Sequence, residues 1–471
     1  MKINFMKYLI STSYNGRCIV IVFLTLTVFF TSCNFTEVDL PSSQLNADDV
    51  FEDKNTATAA LVEIYSNMRD NGVLTGYPSG TSSQLGLYTD ELDFYGIPAS
   101  GSASFFNNTL LPSTSDVSLF WRYSYNQIYA ANAVIEGVTN SKSLKQIDKE
   151  RLIGEALFIR ALIHLYLTDL FGDIPYIQST NYRENSKVDR QPVQKIYEHI
   201  KDDLIYASSV LSPEYATTER VRPNKWAVNT LLARVLLYMQ QWNESSNVAS
   251  SVINEKNVYN LPTDPSQLFL KGSSSTIWQL MPANTGNPTL EGNLFIFKSG
   301  PPPSLALNNT LVNSFSSSDL RKKYWIKQVT TGTNSWYHAY KYKQDTNSGT
   351  SSEYSIVLRL SELYLIRSEA RLMSGDYIGS KEDINIIRNY AGLGNTNAST
   401  DTEILKEILL QRRLELFCEF GHRFFDLKRT QRLDATLGVA KPGWDTHDRL
   451  LPLPESELSL NPNLKPQNEG Y

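Results

Sequence analysis

The sequence predicts a mainly α protein: helix hairpins stacked into a superhelix, with long loops and a small irregular, β-containing insert. Three observations carry that prediction. Apolar residues recur at helical spacing through most of the chain, as over 56–68, where Ala59, Ala60, Leu61, Ile64 and Met68 share a face. The helical stretches come in pairs. The stretch 259–354 breaks the pattern and is rich in Ser, Thr, Asn, Gly and Pro, including Pro301-Pro302-Pro303.

The chain opens with a basic start, Lys2, Lys7 and Arg17, and has no acidic residue before Glu37. Residues 18–30 (CIVIVFLTLTVFF) are apolar or threonine; small Thr31 and Ser32 follow, then Cys33. A run this short behind a basic flank reads as an export signal rather than a membrane span. A small-residue site ending in cysteine resembles a bacterial lipoprotein signal, with Phe30 departing from the leucine usual there. The resemblance implies cleavage before Cys33, then diacylation of its thiol and acylation of its amine. Two or more acyl chains anchor a protein stably, whereas one is marginal. The expected layout is therefore a signal over 1–32, a lipid-anchored polar tether over 33–50 and one domain over 51–471.

Helices are expected in order along that domain. After 56–68 comes 119–138, with Phe120, Tyr123, Gln127, Ala130, Ala131 and Val134 in phase. A long amphipathic stretch, 153–171, is ended by Gly172 and Pro175. Pro192 suits the first position of the next helix, to 211, and Pro223 introduces 226–240. Asn243 is the expected cap of 244–254. Stretches 358–373 and 378–390 flank a Ser-Gly-Asp turn, and 402–419 is the last strong helix, with Gly421 at its C-terminal position. Two hairpins can be superposed: LLARVLLYMQQW with NESSNVASSVI, and LYLIRSEARLMSGDY with IGSKEDINIIR. Each has a first helix rich in small residues, a polar turn, an aromatic (Trp242 or Tyr377) and a second helix. That layout resembles a tetratricopeptide hairpin, and two more pairs are expected, 56–70 with 117–139 and 150–171 with 192–211. Within the insert, 276–280, 294–297 and 340–342 look strand-like.

The formal charge of the 471-residue chain is −5. Removing the signal, with its three positive charges, makes it −8, and no basic run remains to suit nucleic acid. No other apolar stretch approaches membrane-spanning length. Of the three cysteines, Cys18 leaves with the signal. If Cys33 is acylated, Cys418 has no disulfide partner; in its apolar surroundings (ELFCEF) it is expected buried and inert in a helix.

Catalytic signatures are missing. The chain has no HExxH, CxxC, GxSxG or phosphate-binding GK[ST] loop, and its five histidines are dispersed. No cofactor is implied, nothing supports a bound calcium, and nothing selects a pair of glycosidase carboxylates. The densely charged stretch 412–429 supplies both signs and reads as paired charges that lock the last helix to the core.

Five segments carry a family resemblance: ILLQRRLELFCEFGHRFFDLKRT (408–430), LLPLPESELSLNPNLKPQNEGY (450–471), EALFIRALIHLYLTDLFGDIPYI (155–177), SSSDLRKKY (316–324) and RLSELYLIRSEARL (359–372). They look like the hallmarks of the SusD/RagB family of nutrient-binding outer-membrane lipoproteins, in the family's order. Cys418 stands where alanine or a similar small residue is usual. The resemblance implies a non-enzymatic lipoprotein on the outer membrane, facing outward. Such a protein captures an oligosaccharide and hands it to a SusC-like TonB-dependent transporter. A peptide or other non-sugar nutrient is the alternative ligand, and a glycan-degrading enzyme on a helical scaffold is a second alternative.

The resemblance also implies a ligand site built from loops off the helical scaffold. Sugars stack their C–H faces on aromatic rings while amides and carboxylates take the hydroxyls. Trp121, Trp226 and Trp242 fall at packing positions on helices. Trp278, Trp325, Trp336 and Tyr337 lie in the irregular insert and are the expected stacking platforms. Tyr77 and Tyr95, in the long loop 72–112, are their expected partners; Tyr95 lies beside Asp90, Glu91 and Asp93. Trp444, in a Pro-Gly loop, is left unassigned.

Overall fold

Helix pairing governs the architecture, and each pair has a chemical reason. The computed structural model describes residues 47–471, so Cys33, the signal and most of the tether lie outside the described residues. Val50–Tyr471 form one unit. Its principal helices are α1 (Lys54–Asp70), α2 (Ser115–Asn140), α3 (Gln146–Phe171), α4 (Val193–Val210), α5 (Lys225–Tyr238), α6 (Trp242–Ile253), α7 (Leu360–Met373), α8 (Tyr377–Tyr390), α9 (Asp401–Leu416) and α10 (His422–Arg429). As expected, α1 packs on α2 and α3 on α4, while α5/α6 and α7/α8 form the two superposable hairpins. The stack is continuous because α2 also meets α3, α4 meets α5, and α6 meets α7 across the whole insert. Helix α3 is buried on every face from Gly154 to Phe171, which makes it the central post.

Buried ion pairs fix the helices against one another. Arg160 on α3 holds Asp203 on α4 through two bonds of 2.7 Å. Arg234 on α5 grips Glu362 on α7 with two more of 2.7 Å. Arg367 on α7 binds Asp383 on α8 at 2.9 and 2.7 Å. Such two-point contacts set both distance and rotation. The charged C-terminal stretch extends the scheme: Arg359 engages Glu415 and Glu419, and Arg321 engages Asp319 and Glu415.

Several local expectations are corrected. Helix α6 starts at Trp242 with Gln241 at its cap, so Asn243 lies inside it. Residues 294–297 are not a strand; Leu290–Phe295 is a short helix whose cap Thr289 accepts the Gly292 N–H. Residues 340–342 follow a strand rather than form one. Helix α9 ends at Leu416, before Cys418, and Gly421 (φ +78) is the cap of α10. Between the helices Cys418 and Phe420 adopt φ of 54° and 44°. That costly turn is held by side chains: Glu91 accepts the Cys418 N–H and Ser82 the Phe420 N–H. Cys418 is buried as expected but sits in a turn, and burial pushes its thiol pKa well above the usual value.

Three two-stranded antiparallel sheets shape the insert and the long loop. Strand β1 (Leu92–Phe94) pairs with β3 (Leu305–Leu307), β2 (Thr276–Leu280) with β6 (Ser355–Arg359), and β4 (Ile326–Thr331) with β5 (Asn334–Ala339). The β4–β5 hairpin turns through Gly332 and Thr333, and Gly332 at φ +62 supplies the positive φ that a tight hairpin turn demands.

Candidate ligand-binding site

Strand β1 brings one edge of the long loop against the insert. Beyond the β1–β3 pairing, Tyr95 N–H donates to the Ser304 carbonyl at 2.7 Å and Asn308 N–H to the Glu91 carbonyl at 2.8 Å. Alternation along the strand puts Asp93 and Tyr95 on one face. Asp93 borders a cleft of about 380 Å3 that is also lined by Asp90, Phe106, Asn107, Asn308 and Lys441. Asn308 donates one amide hydrogen to Asp93 at 2.8 Å while its side-chain carbonyl accepts the Thr310 N–H at 2.7 Å, which leaves its second amide hydrogen and the other Asp93 oxygen available. Lys441 donates to the Leu87 carbonyl at 2.7 Å and stands 3.9 Å over the Phe106 ring. Burial lowers its pKa to about 8, against the opposing pull of Asp93 and Asp90.

Two aromatics, exposed Tyr95 and half-buried Trp336, lie near Asp93 outside the lining of the cleft. Tyr95 is 40% exposed. Burial first, and Asp93 second, raise its hydroxyl pKa, while the nearby Trp336 indole acts in the other direction. Trp336 pairs across the hairpin with Val329 and packs beside Phe297 and Ala306. Its ring covers Gly300 so closely that a Cβ there would come within 2.1 Å. The structure therefore places Tyr95 near both Trp336 and Asp93 of the cleft.

The other expected site residues go elsewhere. Trp278 and Trp325 are not platforms: both are fully buried. Trp278 sits between Phe158 and Tyr65 and donates its N–H to the Val221 carbonyl at 3.1 Å. Trp325 packs on Phe269 and donates to Pro265 at 3.0 Å. With ring and N–H both engaged, neither offers a face to a ligand. Tyr337 follows Trp336 on β5, so it points to the opposite side of the hairpin and packs on the main core. Tyr77 is exposed but borders a separate, smaller hollow of about 80 Å3 with Glu291 and Arg69. Sequence reasoning missed Asn308, Phe106 and Lys441. Asp93 was noticed only as a neighbour of Tyr95, and that adjacency was the available signal.

The cleft is poorly equipped for catalysis. Burial alone would raise the Asp90 pKa, but hydrogen bonds and charge from Arg423, then Arg413, hold it below the usual value. Asp90 is thus a fixed anion at the back of the cleft, not a proton donor. Among the described residues no cluster of His, Cys, Asp and Glu could hold a metal ion. A larger groove of about 500 Å3 opens against α2, walled by Trp121, Tyr125, Tyr129 and Leu460. There the Tyr125 hydroxyl is engaged by the Pro175 carbonyl and Trp121 is almost wholly buried. That groove has polar lining of its own, including Arg122, Asn126, Glu457 and Asn461; the cleft at Asp93 is preferred because two of the expected aromatics, Tyr95 and Trp336, come together next to Asp93.

Comparison with known proteins agrees with this architecture. One family model, described as "Starch-binding associating with outer membrane", matches residues 49–237, and another, described as "SusD family", matches 304–471. SusD-like protein P2 of Formosa agariphila is 26% identical, over 96% of this chain and 99% of its own length. A SusD superfamily structure from Parabacteroides distasonis superposes with a TM-score of 0.77 at 23% identity, covering 91% of this chain and all of that one. A structure named "Laminarin binding SusD-like protein" superposes at 0.75 with 22% identity, over 89% of this chain and 100% of its own.

Proposed function

The chain belongs to the SusD family, and from that premise we propose that it is a glycan-binding protein of the cell surface, which captures an oligosaccharide and delivers it to a TonB-dependent transporter. The observation that carries the reading is the Tyr95–Trp336 pair beside the cleft of Asp93, Asn308 and Lys441. Two aromatic faces take the C–H surface of a pyranose, and the carboxylate and amide take its hydroxyls. Binding rather than hydrolysis is favoured because Asp90, one of the two carboxyls lining the cleft, is held as an anion by two arginines. The proposed anchor is acylated Cys33, which holds the domain at the outer membrane beside its transporter.

Titrating the chain from residue 34 against a glycan array that includes laminarin tests the ligand class. Binding to at least one oligosaccharide is expected. Binding to peptides with none to glycans would move the ligand class, and release of reducing sugar from a polysaccharide would move the protein to the enzymes. Cys33→Ala should shift the full chain from membranes to the soluble fraction.

A further inference from the structure

The charged stretch at the end of the superhelix does more than lock helices together. Helices α9 and α10 border a second cleft, of about 270 Å3. Five cations line it, Lys406, Arg412, Arg413, Arg423 and Arg432, against two carboxyls, Glu91 and Asp426. Arg413 and Arg423 both pair with Asp90, each at 2.8 Å, although the Arg413 Nε is buried with no acceptor among the described residues. Arg412 is not fully matched. Its Nε donates to Asp426 at 2.7 Å, but both terminal nitrogens are buried with no acceptor among the described residues. Asp426 makes no bond to either terminal nitrogen; its other oxygen accepts from Arg429 at 2.9 Å. The neighbouring His422 brings no negative charge; burial, then Arg234 and Arg412, hold its imidazole neutral. Lys406 and Arg432 stand exposed, outside these ion pairs.

A guanidinium that is 1% exposed with unmatched N–H groups is a costly arrangement. The group that relieves it has two coplanar oxygens and a negative charge, the complement of the guanidinium fork. We propose that this cleft is an anion site that takes an oxyanion, a carboxylate or sulfate, on the free edge of Arg412 with Lys406 and Arg432 closing over it. The same chemistry is offered by a free ion and by an acidic substituent on a saccharide. The site lies behind the aromatic cleft, since Asp90 lines that cleft and pairs with the arginines of this one.

Calorimetric titration of the full chain in detergent, at constant ionic strength, tests the assignment with sodium sulfate and sodium glucuronate as probes. Saturable one-to-one binding is expected for both. The double variant Lys406→Ala/Arg432→Ala should bind about tenfold more weakly, and Arg412→Lys, which keeps the charge but loses the fork, should also lose affinity. Trp336→Ala should leave sulfate binding unchanged, which separates this site from the glycan reading. A sulfated or uronate-bearing oligosaccharide that binds tighter than the free ions identifies a saccharide source; equal affinity identifies a free ion. Absence of saturable heat in a chain with an intact melting transition overturns the proposal, as does unchanged affinity in the double variant.

Discussion

Helices α3 to α6 and the segment 83–108 treat buried polar groups in opposite ways. In the four helices Arg160 and Arg234 are each held by two-point contacts. Among the described residues, no side-chain nitrogen or oxygen of these helices is buried without a partner. In 83–108, Ser83, Gln84, Glu91 and Asn108 each leave a buried oxygen unmatched, and across the chain Arg412, Arg413 and His422 leave nitrogens unmatched. A matched interior resists change; an unmatched one is where a ligand still has something to offer. The scaffold holds position and the loop face holds chemistry.

The sharpest way to break that contrast is to unmatch the scaffold. Arg234→Met leaves Glu362 as an uncompensated buried charge and should cost about 3–5 kcal/mol in chemical denaturation, with most recovered by adding Glu362→Leu. A loss under about 1 kcal/mol would mean that the pairs do not pin the hairpins. Trp325→Ala should also cost about 3–5 kcal/mol, through a cavity, while the folded fraction keeps its glycan affinity. If affinity instead fell with stability intact, Trp325 would be a binding residue after all.

Glu91 probes the loop face from the other direction. Burial and the charge of Asp90 push its pKa up to about 7, against Arg423. The folded chain thus keeps a proton that the unfolded chain releases near its ordinary value of 4.5. Stability from this group is complete below that value and is lost as pH rises through about 7. Glu91→Gln should therefore raise stability at pH 8 by about 2 kcal/mol and by little at pH 5. Equal melting shifts at both pH values would count against a protonated Glu91.

Smaller effects are expected at the aromatic rim. Trp336→Ala should weaken glycan binding about tenfold, near 1.4 kcal/mol, with stability changed by less than about 1 kcal/mol. Gly300→Ala leaves every ligand contact in place but drives a methyl into the Trp336 ring. An affinity loss of about threefold is expected, and no loss would show that the ring's seating is unimportant.

Much of the scaffold was legible because a helical period is written in the chain itself. Helices α1 to α8 fall within a few residues of their expected bounds, apart from earlier starts of α2 and α3. What failed depended on partners distant in sequence. Trp278 and Trp336 both sit on strands of the insert, yet every residue of β2 is buried while β5 runs from exposed to buried. Strand β2 is covered by α1 and α5, a fact absent from its own five residues. The end of α9 was misplaced for the same reason: Glu91 and Ser82, more than 300 positions away, stabilise a turn that local propensity disfavours. At the site, Tyr95 and Trp336 were found through residue type, but Asn308 and Lys441 were not, because polar residues in loops look alike until a strand pairing brings two of them to one cleft.

The β2–β6 pairing has a consequence for how such a molecule can be varied. Leu280 and Ser355 are partners in that sheet, and α6 and α7 touch on either side of it. Everything between those two residues, including Trp336, Gly300 and β3, leaves and re-enters the scaffold through one narrow neck. Lengthening a closed loop costs only about 0.6 kcal/mol per doubling. The exposed turns of the span 281–354 can therefore change length and sequence on a retained frame, provided the two strands of the neck are kept together with Arg321, Trp325 and Lys341, which plug the span into the helical core.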